Sequence, residues 1–253
     1  MNISFFATCI TDVVYPRVGI KSVELLERLG CTVLFNPKQT CCGQPLTNTG
    51  YHEKAEKSMR LLIDALLEDD CDYVVAPSGS CALQVKEFPH FFRGDAQWEG
   101  KAKTLAAKTF EITDFIVNVL KIVDVGAELN GRAAYHPSCH MTRLLGVKEP
   151  PLRLLENVRG LQLVPFKGQD KCCGFGGTFA VKMSELSGAM VAEKVHNIVE
   201  AGVDYVIGAD NACLMNIDGR LRAEGHAIKV LHIVEVLAEN LESIGRAAPQ
   251  SGS

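Results

Sequence analysis

Ten cysteines stand out in a chain of 253 residues, and eight of them fall into two matching sets. In the first set, 31 residues separate Cys9 from the doublet Cys41-Cys42, and 38 more lead to Cys81. In the second, 32 residues separate Cys139 from Cys172-Cys173, and 39 more lead to Cys213. Thiolate sulfur is the ligand preferred by iron–sulfur clusters and by zinc. Adjacent cysteines reach two different atoms of a larger cluster more readily than they reach one tetrahedral ion. Zinc sites commonly use Cys-x2–4-Cys pairs. This chain contains no Cys-x-x-Cys and no C-x2-C-x2-C run. The pattern therefore points to iron–sulfur first, with zinc and metal-free thiol chemistry as alternatives. Gly43 follows the first doublet, and Gly174, Gly176 and Gly177 follow the second. Glycine there lets backbone amides approach sulfur closely. The alternatives are a tight turn or, for Gly174–Gly177, a phosphate loop without the lysine and serine of a P-loop.

The two sets are offset by 130, 131, 131 and 132 residues, and their flanks repeat as well. Asp72-Tyr73-Val74-Val75 before Cys81 matches Asp204-Tyr205-Val206-Ile207 before Cys213. The chain reads as a duplication, with units over 1–130 and 131–245 and a disordered tail over 246–253. Periodicity predicts strands at Ile3–Ala7, Thr32–Asn36 and Tyr73–Ala76 in unit one, and at Ala133–Tyr135, Gln162–Pro165 and Tyr205–Gly208 in unit two. Helices are predicted over Val14–Leu29, Tyr51–Leu67, Leu152–Asn157 and Ser184–Ala201, with a closing strand and helix over Thr109–Val123 and Ile228–Leu241. Alternating short strands and helices predict an α/β fold of two homologous, pseudo-symmetric units, each three layers around a small parallel sheet. The cysteine loops then lie at the C-terminal ends of the strands, where open α/β sheets form their functional crevice.

Composition narrows the class. Apolar residues are 47 % and charged residues 22 %, ordinary for a globular chain. A net charge of −4 implies no basic face for a nucleic acid. No apolar run approaches the ~20 residues of a spanning helix, and Met1 to Asp12 lacks the basic region of a secretion signal. The expectation is a cytoplasmic protein that could reach the inner membrane face through partners. In a reducing compartment the cysteines suggest metal or redox chemistry rather than disulfides.

The repeated Cys…Cys-Cys-Gly…Cys pattern resembles the cysteine-rich CCG domain family, which includes the B subunit of heterodisulfide reductase. Within it, the chain is most similar to iron–sulfur subunits of L-lactate-oxidising complexes. The residues that carry the likeness are Tyr15-Pro16-Arg17-Val18-Gly19, Gln39-Thr40-Cys41-Cys42-Gly43-Gln44-Pro45, Tyr135-His136-Pro137-Ser138-Cys139-His140, Cys172-Cys173-Gly174-Phe175-Gly176-Gly177-Thr178-Phe179 and Gly208-Ala209-Asp210-Asn211-Ala212-Cys213-Leu214-Met215-Asn216. The resemblance covers about residues 1–242. It implies an electron-transfer subunit that takes part in oxidising lactate to pyruvate during growth on lactate. It further implies two partner subunits, one of them ferredoxin-like, and two clusters, [4Fe–4S] before [2Fe–2S], one per unit. Heterodisulfide reductase ends its pattern in Cys-x-x-Cys and holds a non-cubane cluster. Here Ser78 and Asp210 stand where that fifth cysteine would fall, which argues for an ordinary cluster. Asp210 is a candidate oxygen ligand, Ser78 a weaker one; each is alternatively a helix cap.

Other residues carry open readings. His136 and His140 flank Cys139 where unit one has Phe6 and Ile10, so the second unit holds something extra: a ligand, a proton carrier or a hydrogen-bond donor. His232 and Glu235 could approach the same crevice. Arg17 and Arg143 could hold a carboxylate or be solvated. Cys31 and Cys71, outside the repeat, read as core residues, and Asp72 and Asp204 as caps. Two competing functions remain: a thiol–disulfide oxidoreductase like heterodisulfide reductase, and a metal-stabilised interaction module. No flavin or nicotinamide fingerprint is present, and no residue can be assigned to lactate itself.

Overall fold

The short runs of β-branched and aromatic residues pair as two separate four-stranded sheets in the computed structural model, which describes residues 1–238. In the first sheet the strands are β1 (Asn2–Phe5), β2 (Thr32–Leu34), β3 (Tyr73–Ala76) and β4 (Thr109–Glu111), ordered β2-β1-β3-β4. In the second they are β5 (Glu128–His136), β6 (Arg159–Leu163), β7 (Tyr205–Gly208) and β8 (Lys229–His232), ordered β6-β5-β7-β8. All neighbours are parallel. Ile3 pairs with Tyr73 as Ala133 pairs with Tyr205, so the duplication extends to register. Asp72 and Asp204 act as twins too: each carboxylate accepts a backbone amide of the neighbouring strand, that of Asn2 in β1 and that of Arg132 in β5, at 2.9 and 2.8 Å.

Several expectations are corrected in detail. The helix expected over Val14–Leu29 is two, Cys9–Val14 and Pro16–Arg28. Pro16 has no amide to continue the first helix, but its fixed φ suits the first position of the second. Cys81 and Cys213 are not in loops. They lie in the first turns of Gly79–Lys86 and Asn211–Ala223. Unit one also carries Phe88–Phe91 and Trp98–Lys108 between the helix of Cys81 and β4. The second sheet begins at Glu128, ahead of the expected boundary at 130. The tail over 246–253 and the end of the expected closing helix lie outside the described residues.

Each sheet has one private helical face and one shared face. Phe6, Cys42, Met59, Leu62, Phe88 and Trp98 form the private core of unit one. Cys173, Val195, Ile198, Leu214 and Ile217 form that of unit two. The third core joins the units, with Phe5, Leu25, Ile112 and Phe115 meeting Tyr135, Leu154, Ile207 and Ile233. Contacts across it are reciprocal. Pro16–Arg28 packs on Ile233–Leu237, while Glu149–Glu156 packs on Ile112–Asp114. The duplication thus builds an internal, two-fold-like interface, the single-chain analogue of an isologous dimer.

The same reciprocity brings the cysteine segments together. The helix bearing Cys81 packs against the turn after Cys139, and the helix bearing Cys213 packs against the helix that starts at Cys9. The approach is close: a Cβ on Gly79 would lie 2.6 Å from Met141 Cβ. Asn211 Nδ2 donates to Thr11 Oγ1 at 2.9 Å across the opposite contact.

Glu111 is a buried acid beside this interface. Its Oε2 accepts the amides of Thr113 and Asp114 at 2.9 and 3.1 Å, and Oε1 has no partner. Burial pushes its carboxyl up from 4.5 to about 8. The folded protein therefore holds a proton that the unfolded chain releases, so stability falls as pH rises from about 4.5 through about 8. One such group contributes at most about 1.4 kcal/mol per pH unit. Urea unfolding across that window is expected to show a flatter pH profile for Glu111→Gln than for wild type. Parallel profiles would rule out Glu111 as the titrating group.

Candidate metal centre

All eight repeat cysteines line one cavity of ≈ 90 Å³ between the units. The first quartet comes from the N-terminus of a helix after β1 (Cys9), the loop after β2 (Cys41, Cys42) and the helix after β3 (Cys81). The second comes from the corresponding places after β5, β6 and β7. Each segment sits at the carboxyl end of a parallel strand, as the sequence predicts. Cys31 and Cys71 are buried in the cores and do not line the cavity.

Within each quartet the sulfurs are close enough to govern each other's protons. Cys9 Sγ lies 3.7 Å from Cys41 Sγ. Hydrogen bonds from Cys42 and Cys9, helped by the Gly43 amide, hold the Cys41 thiol far below its ordinary range. Cys139 and Cys173, with the Gly174 amide, do the same to Cys172. The thiols that donate are driven upward, Cys9 and Cys42 by their bonds to Cys41, and Cys139 and Cys173 by theirs to Cys172, with burial adding to each. Four thiolates cannot crowd together in a dry site without a compensating cation, and bound metal inverts that balance. The donor set therefore fits a thiolate-bound metal or iron–sulfur group.

The glycines act as the sequence suggests they could. Gly43 and Gly174 have φ of +85° and +83°, in the left-handed region, and their amides point at Cys41 Sγ and Cys172 Sγ at 3.5 and 3.4 Å. A Cβ on Gly174 would stand 2.8 Å from the Ser187 carbonyl. Thr8, ahead of Cys9, is also held at φ +66°, an uncommon state for a β-branched residue.

Asp210 lines the cavity, but both its oxygens are engaged. Oδ1 accepts the Ala212 amide at 3.2 Å and caps its own helix. Oδ2 accepts the Ser80 amide at 2.9 Å, with Ser78 Oγ at 3.4 Å. One buried carboxylate thus holds the N-termini of both helices that bear the last cysteine of each quartet. His232 sits elsewhere than the crevice. Its Nδ1 accepts the Val234 amide, which assigns the proton to Nε2, and Nε2 donates to the Pro77 carbonyl at 2.9 Å. It is a helix cap and a tie between units, with Glu235 closing a capping box. Arg17 is exposed, 3.6 Å from Glu235, and Arg143 donates to the Asp170 carbonyl at 2.7 Å; neither lines the cavity.

His136 is 1 % exposed, and neither ring nitrogen has a partner. One of its nitrogens and the sulfurs of Cys173 and Cys213 all lie within 4.8 Å of one another. Burial, then the charge of Lys194, lowers its pKa to about 3, so the ring is neutral. His140 lines the cavity with Nδ1 3.6 Å from Cys139 Sγ. Lys194 escapes sequence reasoning. It is 2 % exposed on Ser184–Glu200, with Nζ donating to the carbonyls of Gly168 and Gln169. Its signal is a lysine inside the apolar stripe Val191, Val195, Ile198.

The family model for the cysteine-rich CCG domain matches this chain twice, over residues 3–86 and 133–218. The chain therefore belongs to the cysteine-rich CCG domain family, in two copies. Within that family it is 59 % identical over 237 residues to lactate utilization protein A of Geobacillus kaustophilus, covering 94 % of this chain and 98 % of that protein. It is 54 % identical, over 94 % of this chain and 99 % of the relative, to a protein of Escherichia coli called uncharacterized protein YkgE. Among solved structures, a hypothetical protein from Helicobacter pylori shares the fold with a TM-score of 0.60 at 10 % identity, over 93 % of this chain and 48 % of that one. Among the described residues no helix is long and apolar enough to cross a membrane.

Proposed function

We propose that the protein is an iron–sulfur electron-transfer subunit of a lactate-oxidising system. The observation that carries this reading is the convergence of eight cysteines, as two quartets, on one cavity. Its link to lactate comes from the relatives named for lactate utilization. On this reading Cys9, Cys41, Cys42 and Cys81 hold one [4Fe–4S] cluster, and Cys139, Cys172, Cys173 and Cys213 hold the other. Bound iron–sulfur clusters supply one-electron transfer. The chain's own residues prepare the sites. The amides of Gly43 and Gly174 donate toward sulfur. The private cores behind Cys42 and Cys173 keep water out. Asp210 fixes the two helices that carry Cys81 and Cys213. The substrate oxidation itself is assigned to a complex with two partner subunits, one ferredoxin-like.

A second reading, a thiol–disulfide oxidoreductase, is favoured by one feature, the opening of both quartets into a single shared cavity. Anaerobic purification with iron and sulfide assay separates the readings. About eight iron and eight sulfide per chain is the expected result, with clusters reduced by lactate only when the partner subunits are added. Disulfide turnover by the isolated chain would favour the second reading. A colourless, iron-free protein, or one with about two zinc, would overturn the first.

A further inference from the structure

We propose that the two sulfur quartets are unequal electron acceptors, the second having the higher reduction potential because His136 and Lys194 stand behind it where Phe6 and Leu62 stand behind the first. This rests on the iron–sulfur reading above and concerns what that reading leaves open, the order of the two centres.

The comparison between quartets is fixed by register. Ile3 and Ala133 occupy the same rung of their sheets, so Phe6 and His136 are equivalent positions at the ends of β1 and β5. Both are buried, at 1 % exposure. The long helices His52–Glu68 and Ser184–Glu200 bury the same positions one for one: Ala55 and Ser187, Met59 and Val191, Leu62 and Lys194, Ile63 and Val195. Leu62 is in the apolar core that holds Phe6 and Cys42. Apart from burial, what shifts Cys9, Cys41 and Cys42 is one another, Cys81 and the amides of Ile10 and Gly43. Around the second quartet two nitrogen side chains are added. Burial lowers the pKa of Lys194, and the sulfurs of Cys173, Cys213 and Cys172 oppose that shift, which places its ammonium within electrostatic reach of the quartet. The His136 ring faces Cys173 and Cys213 with no other partner for either nitrogen. Buried polar groups without partners are rare in native proteins, and sulfur is what this one faces. His140, with Nδ1 3.6 Å from Cys139 Sγ where unit one has Ile10, is a further difference on the same side, whereas Asp210, Gln84 and Asn216 do not separate the sites. Asp210 is shared by both helices, and Gln84 and Asn216 occupy corresponding helices.

Reduction of a thiolate-bound cluster adds negative charge. A nearby ammonium and an N–H donor stabilise the added charge, and a phenyl ring and an isobutyl group do not. Desolvation on both sides keeps the difference from being screened by water.

The test is an anaerobic redox titration followed by electron paramagnetic resonance. Cys173→Ala protein reports the first centre alone, and Cys42→Ala protein reports the second. The second is expected to have the higher midpoint potential. In the Cys42→Ala background, His136→Phe and Lys194→Met should each shift that potential down toward the value of the first. In the Cys173→Ala background, Phe6→His should shift the first centre up. Iron per chain is measured on every sample as the control for folding and loading. Loaded centres of equal or reversed potential, or a second centre indifferent to both His136→Phe and Lys194→Met, would overturn the inequality alone. Absence of iron from the wild-type protein as well as from both single-quartet proteins would overturn the iron–sulfur reading, and iron in wild type alone would overturn the two-centre arrangement; either result ends the inequality.

Discussion

Cys42→Ala is expected to cost the protein about half of its iron and sulfide, leaving about four of each per chain, and Cys173→Ala is expected to do the same to the other half. The reason is the pattern of coupling. Cys42 is buried against its own helical core and shares protons with Cys41 and Cys81. Cys173 is buried likewise and shares protons with Cys172 and Cys213. No cysteine of one quartet appears among the influences on these residues of the other. Removing one sulfur therefore disables one quartet, although all eight border the same cavity. Iron and sulfide assay, with the visible spectrum, measures the effect. Loss of all iron from either single variant would mean one group spanning both quartets, and the two-centre arrangement would be wrong.

Asp210→Ala is expected to be the most damaging change outside the cysteines, destabilising the protein by about 2–4 kcal/mol. Two contributions add. Losing the cap on Ala212 removes a bond of the kind worth about 1 kcal/mol. Leaving the Ser80 amide buried without its acceptor costs about 1–3 kcal/mol more. Asp210 is 2 % exposed, so water does not readily replace the lost carboxylate. Asp210→Asn keeps one acceptor oxygen and is expected to cost less. Ser78→Ala should be milder still, since Ser78 Oγ makes no bond to the amides of its own helix. Urea midpoints order the three variants. The loss should extend to metal loading in both quartets, because Asp210 fixes the helices of Cys81 and Cys213 together. A shift below about 0.5 kcal/mol, the range of ordinary surface changes, would show that the carboxylate is not a tie between units.

Much of the site was legible in one dimension. The offset between cysteine sets sorted the eight sulfurs into two quartets, and the strand-then-cysteine order put them at one sheet edge. The replacement of Phe6 by His136 marked the second quartet as different before any geometry was known. The helices Gly79–Lys86 and Asn211–Ala223 were missed because each starts with small or polar residues directly after a strand. Those residues have weak helix propensity, and the capping and the packing of the next unit supply what propensity lacks. His232 was misplaced for a related reason. Its ring nitrogens are satisfied by the Val234 amide and by the Pro77 carbonyl, 155 residues away in sequence.

The amino-acid sequence by itself determined the duplication, the parallel α/β units and the eight sulfurs, because spacing and side-chain periodicity are properties of the chain read along its length. Tertiary structure alone decided that both quartets open into one cavity, that Asp210 ties two helices, and that Lys194 stands where Leu62 does in the twin. These facts arise where unit packs on unit. There, burial and the need to pair every buried polar group select among arrangements that leave the linear pattern unchanged.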